Sequence, residues 1–249
     1  MNFAISSGHG RHVGGASGLI NEVTEARRVV DQVAVALRGF GNKVVTFHDD
    51  ASKNQQSNLT AITTWHNKQT RDRDVSVHFN AFSQTVAPRG TEVLYKADAQ
   101  KDMAAKVSKA ISQASGLVDR GAKHRTNLSF LNKCHKQPIL IEVCFVDSET
   151  DVELYKMNFV EICKAIAGAL AGRQQTPGSP SQPPPVTMPT LRRGSKGPDV
   201  LTLQKLLGGL ALDGDFGPAT EGRVKTFQSQ KGLTADGVVG PLTWKALGR

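Results

Sequence analysis

Strand-like and helix-like patterns alternate along the first two thirds of the chain, and this alternation restricts the possible folds more than any other feature. Short apolar runs that are typical of strands lie at residues 2–7, 43–48, 74–79, 90–96 and 138–146. Patterns that are typical of helices, most with apolar residues at steps of three and four, lie at residues 23–40, 58–69, 103–114 and 159–170. Alternating elements of this kind predict an α/β domain with a mostly parallel sheet that is flanked by helices on both faces.

A proline-rich segment ends the alternating region. Residues 172–190, GRQQTPGSPSQPPPVTMPT, hold six of the eleven prolines in the chain, together with glycine, serine, glutamine and threonine. Such a composition cannot bury an apolar core and favours extended conformations. The sequence therefore predicts three parts, which are a first domain at 1–171, a linker at 172–190 and a second domain at 191–249.

The second domain contains an internal repeat of a turn motif. DGDFGPAT at 213–220 and DGVVGPLT at 236–243 share five positions at an offset of 23 residues. Asp-Gly favours a tight turn, and Gly-Pro is typical of the start of a helix, where proline occupies the first helical position. Because helical patterns precede and follow the two copies, we expect a small all-helical module.

The net charge of +9 at pH 7 favours an anionic partner, such as nucleic acid, an acidic membrane or an anionic polymer of the bacterial cell wall. Lysine and arginine form no clustered run and only 6% of the residues are aromatic, so we expect no binding to nucleic acid. No apolar run reaches the ~18 residues that a membrane-spanning helix needs, so we expect no membrane partner.

The N-terminus and the cysteines bear on the compartment in which the chain is made. MNFAISSGHG lacks the basic start and the long apolar core of a secretory signal peptide. We therefore expect synthesis in a cytoplasm, with release by another agent if the protein acts outside the cell. The three cysteines, Cys134, Cys144 and Cys163, form no CxxC pair, so the sequence predicts neither a disulfide framework nor a thiolate zinc site.

Polar residues interrupt the apolar patterns of the first domain at places where sites form. His9 follows the first strand in a glycine-flanked turn, and Glu22 begins the first helix. His78 lies near the end of a strand, and Glu142 lies inside an apolar strand, where a carboxylate is costly unless it is paired. Most of these places are carboxyl ends of strands, where open α/β sheets build their sites.

These residue types permit two interpretations. Two imidazoles and one carboxylate with an open fourth position form a common catalytic zinc shell, and a second carboxylate then serves as general base. However, the residues are scattered along the chain without an HExxH motif, and a lone histidine near a strand is more often structural. The pattern alone leaves a metal site and a structural role open.

Short motifs in the first domain resemble, in order, those of the zinc-dependent N-acetylmuramoyl-L-alanine amidases, in particular the catalytic domains of phage endolysins and bacterial autolysins. The motifs extend over roughly residues 1–171 and are GHG, GASG, NE, SVHFNA, GTEV, RGAK, LSFL and PILIEVCFVD. The start of the second domain, LRRGSKGPDVLTLQKLL, and its DGxxGPxT turns resemble the small peptidoglycan-binding domain that is often attached to wall hydrolases. Both resemblances imply bacterial peptidoglycan as the partner.

The amidase resemblance implies a role for each of the four polar residues. It makes His9, Glu22 and His78 the ligands of Zn²⁺, and it makes Glu142 the catalytic general base. Two features depart from the family pattern. The first strand ends in Ser-Ser-Gly-His instead of Asp-Pro-Gly-His, and Glu25, about one helical turn after Glu22, is an alternative ligand. Glu22 is preferred because the apolar positions Val30, Val33 and Leu37 then keep the register of the family.

The resemblance implies a hydrolase that cleaves the amide bond between N-acetylmuramic acid and the L-alanine of the stem peptide. The first interpretation is a monomeric phage endolysin that acts on the wall after release, and a bacterial autolysin would have the same chemistry. The alternatives are a zinc peptidase that cuts within the stem peptide and a non-catalytic wall-binding protein. The peptidase would be recognised by the bond that it cleaves. The non-catalytic protein predicts loss of a site residue, whereas all four are present.

Overall fold

The computed structural model describes residues 1–173 and 189–248, and the chain divides into two compact units, Met1–Thr176 and Pro177–Arg249. Residues 174–188, which make up most of the predicted linker, lie outside the described residues. The predicted domain boundaries therefore stay a prediction. Within the part of the chain that is described, no helix combines the length and the apolar character needed to cross a membrane.

A six-stranded sheet forms the centre of the first unit. Its strands are β1 (Asn2–Ser7), β2 (Lys43–Phe47), β3 (Arg73–Asn80), β4 (Thr91–Tyr95), β5 (Asp119–His124) and β6 (Ile139–Phe145). Their spatial order is β2-β1-β3-β6-β4-β5, and every neighbouring pair is parallel except β4 with β6. The last strand along the chain, β6, therefore lies between β3 and β4 in the middle of the sheet.

Helices cover both faces of this sheet. They are α1 (Glu22–Gly39), α2 (Gln55–Asn67), α3 (Lys101–Ser115), α4 (Ser129–Lys133), α5 (Glu149–Met157) and α6 (Phe159–Leu170). Helix α6 packs against α1 and α3 over the larger apolar core, which includes Ile139 and Ile141 of β6. Helices α2 and α4 contact each other beside a smaller core that includes Leu140. Because successive strand residues point to opposite faces, the two cores lie on opposite sides of the sheet. The predicted fold class is confirmed.

The sequence patterns do not predict β5, α4 or α5. Strand β5 has the sequence DRGAKH, in which no residue is fully buried and apolar residues do not alternate with polar ones. It lies at the edge of the sheet and is held by parallel pairing with β4. An edge strand of this kind depends more on its partner than on its own side chains, so its sequence carries little signal. Helix α4 has five residues, which is too short for a periodic pattern.

Three helices form the described part of the second unit, α7 (Pro198–Leu207), α8 (Pro218–Gln230) and α9 (Pro241–Ala246). Both α8 and α9 begin at the proline of the repeated DGxxGPxT motif, as the sequence predicts. The helices surround a small apolar core in which the side chain of Trp244 is almost fully buried. The predicted all-helical module is confirmed.

The repeat in the sequence is also a repeat in hydrogen bonding. The side-chain amide of Gln204, which is buried, bonds through its nitrogen and its oxygen to the first copy of the turn, at Asp213, Gly214, Asp215 and Thr220. The buried amide of Gln228 makes the equivalent bonds to the second copy, at Asp236, Gly237, Val238 and Thr243. Each glutamine therefore fixes the turn from which the next helix begins.

We expect Gln228→Ala to lower the free energy of unfolding of the second unit by about 2 to 4 kcal/mol, because it leaves several buried polar groups without partners. Calorimetry of the full chain measures this loss in the transition of the second unit. Gln230→Ala is the matched control, because Gln230 is exposed near the end of the same helix. Equal shifts in the two variants would show that the buried network does not stabilise the unit.

Candidate metal centre

Two imidazoles and one carboxylate meet at the carboxyl ends of β1 and β3. His9, Glu22 and His78 each offer a ligand atom, and these atoms all lie within 4.8 Å of one another. Nε2 of His9 lies 3.5 Å from Oε2 of Glu22, and Nδ1 of His78 lies 3.0 Å from Oε1 of the same carboxylate. The structure therefore brings together the three residues that the resemblance names as ligands.

Glu22 is held in place from both sides by the backbone. Helix α1 begins at Glu22, and the side chain of the N-cap residue Asn21 accepts a hydrogen bond from the amide of Thr24. The Glu22 carboxylate accepts bonds from the amide of Ala16 at 2.6 Å and from the amide of Phe79 at 3.1 Å. The side chain is 3% exposed. These amides fix the carboxylate between the two imidazoles.

Glycines make room for the cluster. A Cβ atom on Gly8 would lie 1.9 Å from the imidazole of His78, and a Cβ on Gly15 would lie 2.7 Å from Oε2 of Glu22. The amide of Gly8 also donates to the carbonyl of Val77, which draws the two strand ends together. Gly8 of the GHG motif and Gly15 of the GASG motif are thus required by close approach of the backbone to the cluster.

The charges of the cluster support one another. Burial opposes ionisation of Glu22, but the hydrogen bond with His78 and the two nearby imidazoles lower the pKa of this carboxyl below its usual value. Burial also disfavours the charged form of His78, yet Glu22 and Glu142 raise the pKa of its imidazole. For His9, burial is the largest effect and lowers the pKa. Glu22 is therefore a carboxylate at neutral pH, as a metal ligand must be.

Glu142 stands beside His78 in the sheet. The two residues are register partners on the neighbouring strands β3 and β6. Burial is the largest effect on Glu142 and raises its pKa to about 7. The charges of Glu22 and Glu92 also raise this pKa, whereas the charge of His78 lowers it. Its atom Oε2 is buried and has no hydrogen-bond partner among the described residues. A carboxyl group with this proton affinity can both accept and donate a proton at neutral pH.

A polar row across three strands includes Glu92, which the sequence analysis did not identify as a site residue, and Arg120 is bound to it. His78 of β3 is the partner of Glu142 of β6, which in turn is the partner of Glu92 of β4. Oε2 of Glu92 accepts a hydrogen bond of 2.7 Å from Nε of Arg120. Glu92 and Arg120 lie in the GTEV and RGAK motifs, which support the resemblance but reveal no role by themselves. Only the strand order brings them to the row.

A second group of ligand types lies elsewhere in the first unit, at His66, Asp74 and Cys134. Its polar atoms are already paired. Asp74 bonds to His66 at 2.8 Å and to two nitrogens of Arg71, and His66 bonds through its other nitrogen to the hydroxyl of Ser6. Burial raises the pKa of the Cys134 thiol to about 12, which disfavours the thiolate that a metal binds. This group is a structural network, and it includes Ser6, one of the two serines by which the sequence departs from Asp-Pro-Gly-His.

The fold and the first cluster together define an α/β protein with a candidate metal centre at the carboxyl ends of the strands of a mostly parallel sheet. Residues 4–172 match the family model described as N-acetylmuramoyl-L-alanine amidase, and residues 196–247 match a model for a peptidoglycan binding domain. The chain therefore belongs to the N-acetylmuramoyl-L-alanine amidase family. The family resemblance predicted from the sequence is confirmed.

Solved structures share the fold of the first unit. The catalytic domain of the CD27L endolysin targeting Clostridia difficile is 23% identical with a TM-score of 0.64, and the match covers 70% of this chain and 98% of that one. The amidase AmiC2 of Nostoc punctiforme is 23% identical with a TM-score of 0.58, covering 70% and 97% of the two chains.

Curated relatives match over shorter parts of their length. An uncharacterized 38.4 kDa protein of Clostridium perfringens is 31% identical over 160 residues, which are 63% of this chain and 46% of the relative. The zinc D-Ala-D-Ala carboxypeptidase of Streptomyces albus G is 46% identical over 65 residues, which are 23% of this chain and 26% of the relative. The chain thus spans about half or less of the length of these proteins.

Proposed function

We propose that this chain is a zinc-dependent peptidoglycan amidase that hydrolyses the bond between N-acetylmuramic acid and the L-alanine of the stem peptide. The observation that carries the proposal is the cluster of His9, Glu22 and His78, whose ligand atoms lie within 4.8 Å of one another beside Glu142. Family membership supports the identification of the bond that is cleaved.

The donor set fits a zinc ion. Two imidazole nitrogens and one carboxylate, with a position left for water or substrate, are a known catalytic zinc shell. The carboxylate of Glu22 is buried, ionised and fixed by backbone amides, so it is prepared for a cation. When bound by these three residues, zinc supplies Lewis acidity toward the scissile carbonyl and lowers the pKa of a water molecule.

Glu142 carries out the proton transfers. Its unpaired Oε2 accepts a proton from the attacking water as the C–O bond forms at the lactyl carbonyl of muramic acid. The protonated carboxyl then donates this proton to the amide nitrogen as the C–N bond breaks. L-alanine leaves with a free amino group, and the carboxylate of Glu142 is restored. A pKa near neutral suits both steps.

The match of residues 196–247 to a peptidoglycan binding domain supports a role of the second unit in attachment to the same polymer. We propose that it holds the protein on the wall while the first unit cleaves. The net charge of +9 agrees with an anionic polymer as partner. We further propose that the protein works as a monomer and as a phage endolysin, which lyses the host cell after it reaches the wall.

A pair of glutamate variants tests the ligand assignment. Glu22→Gln is expected to lower zinc affinity by more than the ~10- to 100-fold that is typical of an outer-shell change. Glu25→Gln is expected to keep it, because Glu25 instead binds Arg28 and the hydroxyl of Tyr155, each at 2.7 Å. Zinc per chain, measured by mass spectrometry after dialysis against graded free zinc, gives both affinities. Loss of zinc only in Glu25→Gln would reverse the assignment.

The function is tested by incubation of purified cell walls with the protein, with and without a chelator. New free amino groups of L-alanine that disappear with the chelator and return with zinc are the expected result. New termini at other residues of the stem peptide would instead show a zinc peptidase. Firm wall binding without cleavage would show a non-catalytic wall-binding protein.

A further inference from the structure

We propose that Arg120 binds a carboxylate of the stem peptide next to the scissile amide, and that it makes the enzyme select substrates carrying this carboxylate. The inference rests on the proposed amidase function and adds a specificity-determining residue to it. Four observations support it, which concern the position of Arg120, its rigidity, its free hydrogen-bonding capacity and the charge of the surrounding site.

The position of Arg120 follows from the strand register. Glu142 and Glu92 are direct partners on β6 and β4, and Nε of Arg120 donates to Oε2 of Glu92 at 2.7 Å. Arg120 is therefore bound to Glu92, the residue next to the proposed general base in the polar row. Its side chain is 39% exposed, whereas that of Glu92 is 6% exposed. A ligand from solvent can therefore reach Arg120 more easily than it can reach Glu92.

The guanidinium of Arg120 is held rigidly. It lies over the ring of Phe145, 5.1 Å from the centroid, and its Nη1 donates to the carbonyl of Arg89 at 3.4 Å. The guanidinium of Arg89 lies near the same ring, 5.5 Å from its centroid. A cation that is fixed by stacking loses little further entropy when it binds a ligand.

Part of the hydrogen-bonding edge of Arg120 is free. Its Nε contacts Glu92 and its Nη1 contacts the carbonyl of Arg89, but Nη2 has no hydrogen-bond partner among the described residues. Glu92 therefore accepts one hydrogen bond, from Nε, and leaves the edge of the guanidinium that carries Nη2 open to a ligand. A planar guanidinium edge matches the two oxygens of a carboxylate.

The carboxyl groups of the site favour a cation beside an anionic substrate. Glu22, Glu142 and Glu92 place three carboxyl groups within the cluster and the row. A substrate that brings a further carboxylate close to them would be repelled. In a stem peptide, the residue after L-alanine carries either a free carboxylate or the corresponding carboxamide. Arg120, which is bound to Glu92 next to Glu142, supplies a cation for such a free carboxylate.

Two synthetic muramoyl peptides that differ only at this group test the inference. One carries the carboxylate on the residue after L-alanine, and the other carries the carboxamide. We expect the wild-type holoenzyme to cleave the carboxylate substrate with a kcat/KM about 10- to 100-fold higher, as a charge-assisted hydrogen bond would give. Arg120→Gln should remove this preference, mainly through a higher KM for the carboxylate substrate. Arg120→Lys should restore part of it.

Arg28→Gln is the matched control. Arg28 is also paired with a glutamate, at 2.7 Å from Glu25, and also lies over a phenylalanine ring, at 4.7 Å from the centroid of Phe159, but it belongs to α1. This variant should keep the wild-type preference. Thermal unfolding of all variants monitors folding.

The outcomes separate the inference from the function on which it rests. Equal losses on both substrates in Arg120→Gln and Arg120→Lys would show that Arg120 only supports Glu92, and would overturn the inference. Equal cleavage of both substrates by the wild type would overturn it as well. Failure of the wild type to cleave either substrate, with zinc bound, would overturn the amidase proposal itself.

Discussion

Replacement of Glu142 by glutamine is expected to reduce kcat on peptidoglycan by about 10²- to 10⁴-fold, the contribution of a positioned general acid and base. Glutamine has nearly the same shape but cannot exchange a proton. Glu142 lies beside the cluster but is not one of the three residues whose ligand atoms lie within 4.8 Å of one another. The zinc content of the variant should therefore stay at the wild-type level. Release of L-alanine amino groups and metal analysis of the same preparation give both quantities.

The control for this experiment is Glu161→Gln. Glu161 is an exposed glutamate that pairs with Lys164 on α6, so its loss should leave kcat unchanged. A Glu142→Gln enzyme with near wild-type kcat would assign the proton transfers to another group. A parallel loss of zinc would instead make Glu142 part of the metal centre.

Gly8→Ala is expected to reduce activity by about 10²-fold or more, because it displaces a proposed ligand instead of removing it. The added Cβ would lie 1.9 Å from the imidazole of His78, closer than any real contact allows, so the ring must leave its position. Zinc affinity should fall together with kcat. Activity on purified walls and zinc titration of the dialysed protein measure the two effects.

Gly14→Ala serves as the matched control for this glycine. A Cβ on Gly14 meets no atom within 4 Å, and Gly14 lies in the same connection between β1 and α1. Its variant should bind zinc and cleave as the wild type does. Full zinc binding by Gly8→Ala at wild-type affinity would contradict the assignment of His78 as a ligand.

Local patterns were sufficient to predict the elements that bury apolar faces. The five strands with apolar runs and the helices with periodic faces all appear in the structure, and Trp244 occupies the core of the second unit. Strand β5 was missed because its residues DRGAKH contain no apolar alternation, and it forms through pairing with β4. Local sequence therefore predicts elements that face the core better than elements specified by their neighbours.

The candidate site was predictable only in part. The carboxyl ends of strands and the family motifs indicated His9, Glu22, His78 and Glu142, and the structure brings these residues to one region. The approach of Arg120 to this region depends on the antiparallel insertion of β4 beside β6. Strand order is a property of the whole sheet, and no spacing along the chain encodes it.

The central position of β6 has a consequence for protein synthesis. A chain leaves the ribosome from its N-terminus, so β1, β2 and β3 emerge long before Ile139–Phe145. Until then β3 lacks its partner on one side, and Glu142 has not yet been translated. A growing chain therefore lacks one of the four residues of the proposed site until translation of the first unit is nearly finished, and the proposed hydrolysis would begin only then.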